Sequence, residues 1–102
     1  MAVTYNDIDA LGERYFDVFI YKDEEEIEDV YEYFTCYGNV WDIASMMDSI
    51  YLINEAPHDE WSRYTACISY LGHDLVALTN LADPGEYDII ADYEILEQLA
   101  AA

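Results

Sequence analysis

Acidic residues far outnumber basic ones in this chain of 102 residues, with 23 Asp and Glu against three Lys and Arg. The formal net charge of −20 is about one uncompensated negative charge for every five residues. Such charge density is typical of disordered chains, but disorder also requires low hydrophobicity. Here 54% of the residues are apolar and 16% are aromatic, including 11 Tyr. The sequence therefore predicts a folded domain with a hydrophobic core and a strongly acidic surface.

The charge also limits the partners that the chain can bind. Contacts to nucleic-acid phosphates need Lys or Arg, and the only ones are Arg14, Lys22 and Arg63. Direct binding to DNA or RNA is therefore nearly excluded, and basic protein surfaces are the favoured partners. No apolar run approaches the roughly 18 residues of a membrane span, so we expect no membrane insertion.

The cysteines and the two ends of the chain add little functional information. Cys36 and Cys67 are too few for a disulfide framework or a zinc site, and we interpret both as small buried hydrophobic residues. Residues 1–6 lack a basic segment followed by an apolar one, so we expect no secretory signal and a cytoplasmic location. The terminal alanines 100–102 resemble a cloning remnant and are excluded from the functional argument.

Residues 15–21 have the alternating pattern of a β-strand. Aromatic and β-branched residues dominate this segment, and polar Asp17 stands between apolar neighbours. The pattern predicts that Phe16, Val18 and Ile20 are buried. The opposite face of the strand would expose Tyr15, Asp17 and Tyr21.

Apolar spacing predicts four helices. The first begins at Asp23 with a capping-box pattern, and the second covers residues 40–54 with Asn39 as its cap. The third follows Pro57 and ends at Gly72, and the fourth is short. The apolar faces, in chain order, are Ile27, Val30, Tyr31 and Phe34; Ile43, Ala44, Met47, Ile50 and Tyr51; Trp61, Tyr64, Ile68 and Leu71; and Leu75, Leu78 and Leu81.

The last part of the chain begins with a turn at Asp83-Pro84-Gly85. Residues 86–92 are predicted to form a short strand paired with 15–21, and residues 93–99 a closing helix or an extended tail. The expected fold class is α+β, mainly helical, with about four helices and a small sheet from residues 15–21 and 86–92. We expect residues 1–102 to form a single compact acidic domain.

The carboxylates are densest between Asp23 and Glu32, where seven of ten residues are acidic. Further carboxylates recur in all the remaining predicted segments. The Cβ atoms of acidic residues three or four apart on a helix lie about 5 to 6 Å from one another. This repeat is comparable to that of DNA phosphates, which occur about every 3.4 Å of axis along each strand. A rigid acidic helix can therefore imitate a row of phosphates. The residues predicted to form the contact surface are Asp23, Glu24, Glu25, Glu28, Asp29 and Glu32, extended by Asp42, Asp48, Asp59, Asp88 and Asp92.

The sequence offers no catalytic or metal-binding signature. His58 and His73 lack the spacing of a metal pair, and no nucleophile elbow, P-loop or dinucleotide-binding motif is present. We therefore predict that the chain is not an enzyme and needs no cofactor or metal.

Tyrosine and tryptophan are more numerous than a small core requires, so some of them must be exposed. Aromatic residues are favoured at the centres of protein interfaces, where an Arg or Lys of a partner can stack on their rings. The alternative is that most of them pack in the core, and the sequence leaves both interpretations open.

Residues 40–94 resemble the central part of the ArdA-type antirestriction proteins, which are acidic DNA mimics. The resemblance lies in Ile43-Ala44, in the segment from Glu60-Trp61 to Gly72, in Leu75 and Leu78-Thr79-Asn80-Leu81, and in Asp83 and Tyr87. The segment from Glu86 to Glu94 is similar to that family's acidic strand, which ends in an Asp-Tyr-Glu signature. The resemblance implies a dimer that occupies the DNA-binding groove of a type I restriction-modification enzyme. Members of the family are longer, with several small domains in a curved rod.

These observations lead to one main hypothesis and two alternatives. The main one is an inhibitor that imitates DNA phosphates and blocks the basic groove of a restriction-modification, CRISPR or other DNA-binding enzyme. Anti-CRISPR proteins use the same acidic strategy on comparably small scaffolds, so both classes of target stay open. The alternatives are a small binding domain adapted to high salt and an acidic antitoxin that plugs a basic nuclease site.

Overall fold

The computed structural model describes residues 2–22, 30, 32–47, 58–83 and 85–102. These residues form five strands, three short α-helices and one 3-10 helix. In chain order they are α1 (Tyr5–Asp9), β1 (Arg14–Lys22), β2 (Glu32–Gly38), α2 (Val40–Ser45), the 3-10 helix (His58–Arg63), β3 (Tyr64–Tyr70), β4 (His73–Leu78), β5 (Tyr87–Ile89) and α3 (Tyr93–Ala100).

The strands form one antiparallel sheet in the order β2-β1-β3-β4-β5. β1 lies inside the sheet and pairs with β2 on one side and with β3 on the other. Val18, at the centre of β1, is opposite Phe34 of β2 and Ile68 of β3. Because side chains alternate between the faces of a strand, this register places Val18, Phe34 and Ile68 together on one face of the sheet.

That face, which we call the core face, carries the hydrophobic core. Phe16, Val18 and Ile20 are fully buried there, as the alternating sequence pattern predicts. The three helices add Ile8, Ile43 and Leu99, among others, to the same core cluster. The described part of the chain is therefore a layer of short helices packed on one face of a sheet.

Local capping explains where the helices begin. Asn39 caps α2, as predicted, because its side-chain oxygen accepts a 2.9 Å hydrogen bond from the backbone of Trp41. Asp92 caps α3 in the same way by accepting a 2.8 Å bond from Ile95 N–H. The helix is thus the correct one of the two alternatives for residues 93–99. α3 extends to Ala100, the first of the three terminal alanines that we had excluded as a cloning remnant.

Strands β3 and β4 form a hairpin with a two-residue turn. Tyr70 pairs with His73, and the two residues between them, Leu71 and Gly72, have φ angles of 51° and 81°. Positive φ at both positions is the signature of the type I′ turn, whose twist matches that of a hairpin. The register shifts after Ile68, which leaves Leu75 as an extra residue in β4, so that Leu75 and Val76 are both buried.

The prediction of a mainly helical fold is wrong, because strands contain more of the described residues than helices do. The predicted first helix had Phe34 on its apolar face, but Phe34 lies in β2 and pairs with Val18. Glu32–Gly38 is rich in β-branched and aromatic residues, and pairing with β1 buries one side of this segment. Residues 23–29 and 31 lie outside the described part of the chain.

The predicted third and fourth helices are also wrong. Residues 58–63 form a 3-10 helix, but Tyr64–Tyr70 and His73–Leu78 are strands. The predicted second helix is confirmed only in its first part, Val40–Ser45, and residues 48–54 lie outside the described ones. The predicted strand 86–92 exists as Tyr87–Ile89, but its partner is β4 and not residues 15–21.

Candidate protein-binding surface

The carboxylates predicted to form the contact surface fall into two groups. Asp23, Glu24, Glu25, Glu28, Asp29 and Asp48 lie outside the described residues. Glu32, Asp42, Asp59, Asp88 and Asp92 lie on β2, on α2, in the 3-10 helix, on β5 and at the cap of α3, respectively. These five carboxylates are therefore spread over five elements and do not form one helical row.

All the carboxylates that the structure describes are exposed or partly exposed, and none is buried. Asp42 and Asp88 are exposed and have surface positions on an α-helix and on an edge strand. Asp92 is exposed as well, but its carboxylate also caps α3. The acidic character of the sequence is thus a property of the surface wherever the structure describes it.

The three basic residues are all described, and two of them stabilise the fold. Arg14 donates two 2.8 Å hydrogen bonds, from Nε to the carbonyl of Leu11 and from Nη1 to the carbonyl of Leu99. Its guanidinium also lies over the ring of Tyr70, and Lys22 lies over the ring of Tyr64. Arg63 forms an ion pair with Glu60 at 3.4 Å. Three cations cannot neutralise 23 carboxylates, so most of the surface charge is uncompensated.

The second face of the sheet, which we call the outer face, carries aromatic side chains. It consists of Tyr15, Asp17, Phe19 and Tyr21 of β1; Tyr33, Thr35 and Tyr37 of β2; Thr65, Cys67 and Ser69 of β3; Asp74 and Ala77 of β4; and Asp88 of β5. Tyr15 and Tyr37 are directly opposite and their ring centroids lie 4.9 Å apart. Phe19 and Tyr33 form a second cross-strand pair at the same distance. Two adjacent aromatic pairs therefore cover the β1–β2 half of this face.

These tyrosines are exposed to a degree that is unusual for large side chains. Tyr15 is 70% exposed, Tyr37 is 55% exposed and Tyr33 is 51% exposed. The buried residues of the described helices belong to the core cluster and leave these rings accessible. The expectation that part of the aromatic excess is exposed is therefore correct for the outer face.

A hydrogen bond joins the aromatic residues to a carboxylate on the same face. The hydroxyl of Tyr33 donates to Oδ1 of Asp17 at 2.7 Å. This bond raises the pKa of the Tyr33 hydroxyl, with smaller contributions from burial and from the negative charge of Asp17. Asp17 thus lies among the aromatic pairs as an anionic acceptor.

The β3–β4 half of the outer face contains a group that resembles part of a catalytic site. Ser69 donates a 2.7 Å hydrogen bond to Oδ1 of Asp74, and Cys67 Sγ lies 3.7 Å from Ser69 Oγ. Burial raises the pKa of the Cys67 thiol to about 11, so that it is protonated and a poor nucleophile at neutral pH. His73 pairs with Tyr70, whose ring packs on Phe16 on the core face. Within the described residues, Ser69 has hydrogen-bond contacts with Asp74 and Cys67 and with no histidine.

Other kinds of site are poorly developed in the described residues. A shallow groove of about 210 Å³ between α1 and α3 is smaller than the roughly 300 Å³ at which typical ligand pockets begin. No group of three or more metal-ligating side chains occurs among the described residues. None of the helices found there is long and apolar enough to cross a membrane.

Sequence reasoning located half of the aromatic surface and missed the other half. The strand pattern at residues 15–21 placed Tyr15, Asp17 and Tyr21 on an exposed face. Tyr33 and Tyr37 were noted as aromatic excess, but the helical interpretation separated them from that face. The signal that could have found them is the alternation of Tyr33, Thr35 and Tyr37 with Phe34 and Cys36.

Comparisons with protein families, curated proteins and solved structures give no match for this chain. Its fold and surface define it as a small α+β domain with one covered sheet face and one aromatic face, and the resemblance to ArdA-type proteins stays a prediction.

Proposed function

We propose that this chain is a non-enzymatic inhibitor that binds the basic DNA groove of a DNA-processing or defence enzyme in place of DNA. The target would be a restriction-modification, CRISPR or nucleoid protein in the cytoplasm of the host cell. Carboxylates of the inhibitor would occupy the positions of DNA phosphates and pair with the Lys and Arg side chains of the groove.

The observation that carries this proposal is an acidic surface with few compensating cations. The net charge is −20, and two of the three cations, Arg14 and Lys22, lie over rings of the protein itself. Unpaired like charges repel one another and destabilise a compact fold. A surface that keeps this cost on most of its described elements is best explained by a partner of opposite charge.

The breadth of the charged surface also supports a large basic partner. Asp42, Asp59 and Asp88 are exposed and lie on three separate elements, so the negative charge is not confined to one helix or strand. A groove that normally holds a DNA duplex presents many Lys and Arg side chains, which a distributed acidic surface could contact at several points. Long-range attraction between such surfaces accelerates association and weakens steeply as salt is added.

The test is competition against a labelled DNA duplex at low salt. Purified restriction, CRISPR and nucleoid proteins are each bound to the duplex, and the chain is added in increasing excess. We expect displacement from at least one of them, and roughly tenfold or greater weakening of the inhibitor between 50 and 200 mM salt. Failure to displace DNA from every protein tested, even at large excess, would remove the basis of the proposal.

A matched pair of variants separates the proposed residues from net charge. One variant carries Asp42→Asn, Asp59→Asn and Asp88→Asn, and the other carries Glu13→Gln, Glu94→Gln and Glu97→Gln, all at exposed positions. Both lose three negative charges. The first should weaken the inhibitor more than the second. Equal weakening by both would mean that only total charge matters and that the assigned residues are not the contact surface.

The same assays distinguish the two alternatives. An antitoxin that plugs one nuclease site should lose binding completely when two or three carboxylates are neutralised, whereas a distributed mimic loses affinity gradually. A domain adapted to high salt should unfold in dilute buffer and refold in molar salt. We expect circular dichroism to show a folded chain in 10 mM buffer.

A further inference from the structure

We propose that the outer face of the sheet is a docking surface for arginine side chains of a basic protein partner. This inference rests on the proposed function, since it concerns the same basic partner. It differs in the residues that form the central contact. The sequence analysis predicted rows of carboxylates, whereas this inference assigns the contact to exposed tyrosines on the sheet.

The arrangement of the aromatic rings suits the outer face to this role. Tyr15 with Tyr37 and Phe19 with Tyr33 form two neighbouring cross-strand pairs, and the three tyrosines of these pairs are at least half exposed. A guanidinium group stacks favourably on the face of an aromatic ring. Strand pairing fixes the backbone at these positions, and the ring contacts at 4.9 Å restrict the side chains, so less side-chain entropy is lost when a partner binds.

The charge of the outer face suits it to the same role. Its strand positions carry Asp17, Asp74 and Asp88 and no Lys or Arg, because Arg14 and Lys22 occupy core-face positions and Arg63 lies in the 3-10 helix. Asp17 lies within hydrogen-bond distance of the Tyr33 hydroxyl. An arginine that stacks on a tyrosine here would have a carboxylate in the same neighbourhood, and guanidinium groups pair strongly with carboxylates.

The charge of the outer face also favours an arginine-containing partner over a nucleic acid or a second copy of this chain. Exposed aromatic residues on a sheet are a common platform for single-stranded nucleic acids, but those platforms add cations that contact the backbone. A face without Lys or Arg on a protein of charge −20 repels phosphates. A second copy of the chain would bring another −20. A cationic protein segment is the occupant that matches both the rings and the charge.

The test compares two peptides of equal charge, deca-arginine and deca-lysine. Carboxylates attract both, whereas stacking on planar rings favours guanidinium. We expect deca-arginine to bind more tightly than deca-lysine. The double substitution Tyr15→Ala with Tyr37→Ala should weaken deca-arginine binding by about tenfold and change deca-lysine binding little.

Two controls keep this result interpretable. The double substitution Tyr15→Phe with Tyr37→Phe retains the rings and should retain the preference for arginine. Leu71→Ala with Met46→Ala removes two exposed apolar side chains outside the outer-face positions and should leave both affinities unchanged. Amide NMR spectra of the labelled protein should show deca-arginine shifting residues of β1 and β2, and they also show whether each variant is folded.

The outcomes separate this inference from the proposed function. If the two peptides bind equally and the alanine variant changes neither, the outer face is not an arginine site, whatever the DNA competition shows. If the alanine variant displaces DNA from a target as well as the original chain does, the inference also fails while the proposed function stands. If the face binds deca-arginine through its tyrosines but no target releases DNA, the inference stands and the proposed function fails.

Discussion

The hydroxyl of Tyr33 on β2 donates a 2.7 Å hydrogen bond to Oδ1 of Asp17 on β1. Tyr33 is directly opposite Phe19 and Asp17 is opposite Thr35, so the bond crosses diagonally between the strands. It connects an exposed ring to a carboxylate on a face that holds no cation at its strand positions. The relationship exists only because residues 32–38 form a strand in this register.

The first prediction concerns the titration of Tyr33. Its pKa is raised because the hydrogen bond to Asp17 requires the protonated hydroxyl. We expect Asp17→Asn to bring the pKa of Tyr33 down toward the ordinary value of about 10. NMR titration of labelled tyrosine rings measures this directly. Asp88→Asn, which removes another carboxylate from the same face, is the control and should leave the titration of Tyr33 nearly unchanged.

The sign of the associated stability change follows from the direction of the shift. A hydroxyl whose pKa is higher in the folded chain stabilises the fold fully below its unfolded pKa of about 10. This contribution disappears as pH rises through the folded pKa. The stability difference between the original chain and Tyr33→Phe, measured by urea unfolding, should therefore shrink above pH 10. A difference that is independent of pH from 8 to 11 would contradict the assignment.

The second prediction concerns Asp7, which connects α1 to α3. Its Oδ2 accepts hydrogen bonds from the backbone N–H of Thr4 at 2.9 Å and from the hydroxyl of Tyr93 at 2.8 Å. The Thr4 backbone bond is the main reason that the pKa of Asp7 is lowered, and the Tyr93 bond adds to it. A lowered pKa stabilises the fold above the unfolded value of about 3.9, and this stabilisation is lost as pH falls through the folded value.

We therefore expect Asp7→Asn to destabilise the chain at pH 7 and to have a decreasing effect below about pH 4. Urea unfolding of both proteins at several pH values gives this difference, in which the effects of the other carboxylates largely cancel. Asp9→Asn, at an exposed position of the same helix, serves as the control. An equal effect of both substitutions at pH 7 would show that only net charge is involved.

The third prediction compares two arginines with different environments. Arg14→Ala should destabilise the chain by about 2 kcal/mol, because two charge-assisted hydrogen bonds to the carbonyls of Leu11 and Leu99 are lost. Arg63→Ala should cost less than about 1 kcal/mol, because its ion pair with Glu60 is exposed. Both substitutions remove one positive charge, so their difference in urea unfolding reports mainly the contacts of Arg14, which are its two hydrogen bonds and its contact with the ring of Tyr70. Arg14→Lys should recover only part of the loss, since an ammonium group cannot reproduce the planar arrangement of donors.

The fourth prediction concerns the turn between β3 and β4. Leu71 has a φ of 51°, a left-handed backbone conformation that is strained for a residue with a Cβ atom. Its side chain is 59% exposed, so burial offsets little of this strain. Leu71→Asn should stabilise the chain by about 1 kcal/mol, because Asn tolerates this region and favours type I′ turns. Gly72→Ala should destabilise the chain by a similar amount, because alanine is strained at a φ of 81°. A clash is not the cause, since an added Cβ would meet no atom within 4 Å. Thermal unfolding measures both, and a change of the same sign in both variants would contradict the turn assignment.

Local patterns predicted the parts of the fold that local interactions decide. The strand around Val18, the cap at Asn39 and the turn after Asp83 were predicted, since each depends on alternation or on hydrogen bonds between residues close in sequence. Glu86 N–H does bond to the carbonyl of Asp83 at 3.0 Å. The register and the neighbours of these elements were not predicted.

The strands β3 and β4 were missed because two periodicities coincide in them. Tyr64 and Ile68 are four residues apart, which fits one face of a helix and equally one face of a strand. What decides is pairing with distant residues: Ile68 lies opposite Val18 on one side and Val76 on the other. Hydrogen bonds between strands and the burial of both partners favour the sheet. The spacing of apolar residues along the chain contains no information about these long-range interactions.

The sequence by itself determined the excess of carboxylates, the supply of apolar residues for a core and the surplus of tyrosine, because each follows from composition and short-range pattern. Only the tertiary structure decided where the tyrosines lie. Pairing of β2 with β1 brings Tyr33 and Tyr37 beside Phe19 and Tyr15, and the packing of the helices on the opposite face leaves these rings exposed on a face without Lys or Arg at its strand positions. The physical reason is that strand pairing joins residues far apart in sequence, whereas charge is carried by each residue wherever it lies.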